Sequence, residues 1–133
     1  MSDIKDSVKK ILEIVSSLKR IDNIGGNELS EKALLLSIHK VYVGQKLVQL
    51  EYELDHNKMI RKTEWGGAFL ATEGTVDAKK IAADEKVREM VGEEIELERK
   101  IGILKNLRVD VSDLTTVIQT RISQLKSELM ESR

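Results

Sequence analysis

Three observations predict an all-α fold: a helical hairpin or bundle with a long C-terminal coiled-coil-like helix, working as an oligomer. Proline is absent from all 133 residues, so no position lacks a backbone donor or crowds the turn before it. Charged residues make up 34% of the chain and aromatic residues 3%, a balance typical of long helices and not of a large aromatic-filled core. From Ala83 to Leu129, positions at alternating four- and three-residue steps are almost all apolar, which is the phase of a helical seam.

The chain is short enough for a single helical domain over residues 1–133, with an N-terminal helix over 1–24, a second helix and basic tip over 30–72, and a C-terminal assembly helix or helical hairpin over 76–131. In the first helix Ile4, Val8, Ile11, Val15 and Leu18 share one stripe, widened by Leu12, Ile14 and Ile21. Gly25 and Gly26 then suit the left-handed backbone that follows many helix ends, and Asn27 or Ser30 suits a cap for the next helix.

The second helix begins near Ser30, reaches about Trp65 and carries two apolar stripes. Leu34, Ile38, Val41, Val48, Tyr52 and Met59 form one; Leu36, Val43, Leu47, Leu50 and Leu54 form the other. Two stripes mean that two sides are covered, by neighbours in the chain and by another subunit. Gly44, between them, permits a close helix crossing.

The C-terminal seam runs Val87, Met90, Glu94, Leu97, Ile101, Leu104, Arg108, Val111, Thr115, Ile118, Ile122, Leu125 and Leu129. A continuous helix over it spans roughly 70 Å, too long to bury its seam against a small domain, so self-association is expected. Leu97, Ile101, Leu104, Val111, Ile118, Ile122, Leu125 and Leu129 are the expected oligomerisation residues. Val109–Asp113 mixes β-branched and cap-forming residues, but the phase carries through it, favouring one long helix or a mild kink. Glu94 and Arg108 read either as register-setting polar positions or as tolerated charges at a wet end.

Little in the chain suggests chemistry. There is no cysteine, which removes disulfides, thiolate metal sites and thiol catalysis. Glu53 and His56 have the Glu-x-x-His spacing of di-metal carboxylate bundles, but Leu36 stands three before His39 where the second pair requires Glu. No phosphate loop, dinucleotide turn or catalytic triad order is present, so neither a metal, a cofactor nor a small-molecule substrate is expected, and the chain reads as non-enzymatic. The N-terminus lacks the apolar run of a signal peptide and no segment approaches a membrane span, which points to the cytoplasm.

One stretch stands apart. Residues 57–80, NKMIRKTEWGGAFLATEGTVDAKK, hold the only Trp, the only Phe and five Lys or Arg residues. Lys58, Arg61, Lys62 and Trp65 fall at helical steps, and Lys79 and Lys80 open the next helix behind a Thr75 cap. Folding at GGAFLATEGT brings both basic groups to one end of a hairpin, where phosphates meet positive charge and bases stack on an aromatic ring. A solvated corner closed by an aromatic plug is the plainer reading of the same residues.

The run from LVQLEYELDHNKMIRKTEWGG through DAKKIAADEKVREM to ISQLKSELMESR resembles the UvsY-like recombination mediators of T4-type phages. The resemblance covers roughly residues 45–129, setting Arg61 at the family's basic position and Trp65 at its second aromatic, with Gly66 and Gly67 beginning a loop. Met59 stands where the pattern has Lys, and Glu64 replaces the first aromatic. The resemblance implies a ring-like or barrel-like homo-oligomer that binds single-stranded DNA through Lys58, Arg61, Lys62, Trp65, Lys79 and Lys80. It also implies loading of a recombinase onto strands coated by single-strand-binding protein. A coiled-coil scaffold, assembly factor or host inhibitor acting without DNA is the alternative from the seam. Trp65-Gly66-Gly67 also fits the W-x-G turn of small secreted hairpins, although the C-terminal export signal of those proteins is missing.

Overall fold

A computed structural model describes residues 2–131. Its elements are α1 (Ser2–Ser17), a 3₁₀ segment (Leu18–Asn23), α2 (Gly26–Ala71) and α3 (Val76–Glu131); no strand occurs among the described residues. The fold is all-α.

The three boundaries have local causes, and two differ from expectation. The first helix does not stay α-helical to residue 24. Ser17 Oγ donates to the Ile14 carbonyl at 2.7 Å, the chain tightens into the 3₁₀ segment, and Arg20 leaves helical geometry at φ −119° and ψ 58°. Gly25 and Gly26 are not left-handed. Instead Ile24, extended at φ −99° and ψ 132°, makes the break, and Gly26 already lies in the first turn of α2. The helix starts there without a cap from Asn27 or Ser30; the Leu29 N–H donates to the Gly25 carbonyl at 3.0 Å.

α2 does not end at Trp65 either. It passes through Gly66 and Gly67 to Ala71, because nothing there demands positive φ and the Trp65 and Phe69 rings, four residues apart, stack across the last turns. The left-handed residue is Gly74, at φ 122°, inside the short turn to α3. Thr75 caps α3 as its sequence position suggests, its Oγ1 accepting from the Ala78 N–H at 3.2 Å. α3 is continuous through Val109–Asp113. There Ser112, Thr115 and Thr116 turn their hydroxyls back onto the carbonyls four residues earlier, so they bond within the helix instead of ending it.

The chain divides into two compact units. In Leu47–Ile103 the end of α2 and the start of α3 form an antiparallel hairpin. Leu47, Leu50 and Leu54 are buried on the α2 side, and Ala83, Val87, Glu94 and Ile101 on the α3 side. The second unit holds the residues up to Lys46 together with those from Leu104 on. Its buried set is Ser7, Ile11, Ile14 and Leu18 below α2's Leu29, Leu36, His39 and Val43, with Leu104, Val111 and Ile118 from α3. Lys40 Nζ donates to Ser112 Oγ at 2.6 Å, and the Arg108 guanidinium lies 3.6 Å from where a Gly44 Cβ would stand. Gly44 thus makes room for a side chain of α3.

Two expectations about faces change here. On α1 the buried seam is Ser7, Ile11, Ile14 and Leu18, while Leu12 and Val15 are exposed. The polar Ser7, bonded to His39 Nδ1 at 3.1 Å, hid that phase in the sequence. The C-terminal seam keeps its phase, but its centre is already covered within the chain. Ile101, Leu104, Val111 and Ile118 are buried, and Leu97, Ile122 and Leu125 are half-buried, leaving only Leu129 exposed at the far end. The antiparallel path of α2 supplies the cover that a second subunit was expected to give. Ile101, Leu104, Val111 and Ile118 are therefore covered within the chain.

Candidate interaction surfaces on the hairpin unit

The basic stretch lies within the Leu47–Ile103 unit, and there the fold spends much of its charge internally. Arg61 Nε donates to Glu94 Oε2 at 2.6 Å, with the Glu94 side chain only 7% exposed. Glu94 is thus partnered across the hairpin, as a carboxylate nearly buried in that seam requires. Lys58 Nζ stands 3.6 Å from Glu98 Oε1 one turn further along, with both partners exposed. Arg61 and Lys58 are first of all clasps between α2 and α3.

The aromatic residues are likewise engaged. Trp65 Nε1–H donates to Asp84 Oδ1 at 2.9 Å. Its ring stacks on Phe69 with centroids 5.3 Å apart and planes 18° from parallel, and Lys79 Nζ sits 5.7 Å from the Phe69 centroid. Trp65, Phe69 and Lys79 are half-buried, which makes the corner a closed plug more than an open stacking platform. Sequence reading missed Phe69 and Asp84, although Phe69 four residues after Trp65 is itself a helical pairing signal.

Lys62 and Lys80 are exposed, and neither makes an ion pair among the described residues. They are the two basic residues of the six predicted contacts that the fold leaves outward and unengaged. The unit as a whole is acidic, with nine Lys and Arg residues against thirteen Asp and Glu between Leu47 and Ile103. A polyanion approaching it meets net repulsion away from those few lysines.

The outer side of α2 presents the opposite character. Val48, Tyr52, Met59 and Leu70 are 70%, 71%, 64% and 83% exposed. They recur on one helical stripe, turned away from buried Leu47, Leu50 and Leu54. Of the two stripes read in α2, the hairpin covers the Leu47 set and leaves the Tyr52 set bare. His56 lies flat against Tyr52, with centroids 6.1 Å apart and planes 6° from parallel. Together with Met59, Ile60, Thr63 and Glu64 it lines a shallow recess of about 360 Å³. Among the described residues no three His, Asp or Glu side chains gather as a metal site, and no helix is long and apolar enough to cross a membrane.

No protein-family model, curated protein or solved structure matches the chain.

Proposed function

We propose that this chain is a non-enzymatic assembly factor that works by protein–protein contact through its helix faces. The outer side of α2 carries this reading: Val48, Tyr52, Met59 and Leu70 share one exposed stripe, interrupted by Asp55, Lys62 and Gly66, that the hairpin's own packing does not use. Exposed apolar surface of this regularity costs solubility and favours association. Light scattering of the full chain tests it. A defined oligomer is the expected result, and a monomer at about tens of micromolar, the range of weak specific association, overturns it.

A second reading follows from Lys62 and Lys80, exposed and without an ion pair among the described residues, beside the Lys79–Phe69–Trp65 corner. With the resemblance to phage recombination mediators, they support single-stranded DNA binding, with recombinase and single-strand-binding protein as further partners. Assembly would repeat these few cations and raise avidity without new contacts. In a salt-dependent titration against a short single-stranded oligonucleotide, a mediator binds less tightly as salt rises, and Lys62→Ala with Lys80→Ala lowers affinity. An oligomer indifferent to DNA at low salt leaves the first reading standing and ends the second.

A further inference from the structure

From the outer face of α2 in the Leu47–Ile103 unit, we infer that two copies of this chain pair there, α2 against α2, antiparallel about a twofold axis at Met59. The inference rests on the assembly reading and names its surface and its symmetry.

The occupant is argued from area, charge and spacing. Val48, Tyr52, Met59 and Leu70 hold most of their side-chain surface open to solvent. Summed over two copies that is on the order of 1,000 Å², near the lower bound of a specific interface before flanking side chains are counted. A helix run of this length extends about 35 Å, long enough for several layers of contact.

Charge selects the direction. Asp55 and Lys62 lie in the stripe itself, one and two heptads after Val48. A parallel pairing sets Asp55 against Asp55 and Lys62 against Lys62. An antiparallel twofold sets Asp55 of each copy beside Lys62 of the other, because the two residues straddle Met59 almost evenly. Like charges opposed at a helix interface destabilise it, and opposed charges specify orientation.

Spacing agrees with that axis. Tyr52 and Gly66 are each one heptad from Met59, on opposite sides, so the twofold brings the Tyr52 ring of one copy over Gly66 of the other. Beyond its own helical turn, nothing comes within 4 Å of where a Gly66 Cβ would be, so the space beside it is open to a ring. Val48 and Leu70 are also equidistant from Met59 and meet at the two ends. Isologous contact follows from this self-complementarity and closes as a dimer.

The absence of cysteine makes the test clean. Met59→Cys in the full chain, mildly oxidised, is expected to give a covalent dimer in high yield. A control cysteine at exposed Glu85, on α3, is expected to give none. Met59→Glu is expected to raise the dimer dissociation constant by at least about tenfold, since two like charges then face each other across the axis, while helicity by circular dichroism is kept. Asp55→Lys is expected to weaken association, and adding Lys62→Asp to restore it. If the chain assembles yet Met59→Cys does not cross-link and Met59→Glu still assembles, this surface is wrong and assembly stands. A monomeric chain overturns both.

Discussion

Arg61 shows how one side chain can change role between sequence and fold. In the sequence it heads a basic cluster; in the structure its Nε is spent on Glu94 at 2.6 Å across the hairpin. Removing it strands a nearly buried carboxylate, so Arg61→Ala is expected to lower stability by about 2 kcal/mol, the range for a hydrogen bond to a charged group. Urea unfolding measures this. Pairing the change with Glu94→Gln is expected to recover part of the loss, because the stranded charge is gone. A DNA-contact role predicts the reverse pattern, with stability unchanged and affinity lowered. His39 supplies a second residue-scale prediction. Its ring is buried against Ser7 in a recess that Asp6, Lys10 and Tyr42 also line. Desolvation, and after it the charge of Lys10, holds the imidazole below its ordinary value of 6.5. The unfolded chain therefore binds the proton first as pH falls through 6.5, and the folded state loses stability from there down to the lower folded value. Unfolding midpoints at pH 7.5 and 5.5 are expected to differ more for the natural chain than for His39→Gln, about pH values that bracket an ordinary His.

At the scale of elements, the turn between α2 and α3 depends on one glycine and not on the pair that the sequence advertises. Gly74 has φ 122°, a conformation that a β-carbon strains. Gly74→Ala is expected to cost roughly 1–2 kcal/mol. Gly67 is an exposed helical position with nothing within 4 Å of its would-be Cβ. Gly67→Ala is expected to add about 0.5–1 kcal/mol through helix propensity alone. Thermal unfolding of the two variants is expected to report shifts of opposite sign, and a loss for Gly67→Ala would assign Gly67 a left-handed turn in place of α2. The same scale explains Ser112, Thr115 and Thr116, whose back-bonded hydroxyls let α3 carry a segment that reads as a stop.

For the molecule as a whole, the question is what the apolar surface left over does. Each unit buries one set of stripes within itself, and the outer face of α2 in the hairpin unit remains bare. A chain whose net formal charge is only −1 has little long-range repulsion to keep such faces apart. Association is therefore expected to persist in high salt, where ion pairs are screened but apolar contact is not. Sedimentation at low and high ionic strength checks this, and dissociation by salt alone would assign the contact to charge. DNA affinity, if present, is expected to fall over the same salt range.

The helical class, the phase of the C-terminal seam and the two faces of α2 were all legible in the sequence, since periodicity is a local property of the chain and absent proline leaves it unbroken. Thr75 as a cap was legible for the same reason. Which α2 stripe is covered was not, because Leu50 and Tyr52 are equally periodic and only the return of α3 chooses Leu50. Nor was the α1 seam, where polar Ser7 belongs inside only because His39 meets it there. The basic tip shows the same division. Its composition was plain in residues 57–80, but whether a cation is free depends on what stands opposite it, and Glu94 and Glu98 lie more than thirty residues away in the chain. Local pattern determines which residues share a face; tertiary pairing decides which face is spent.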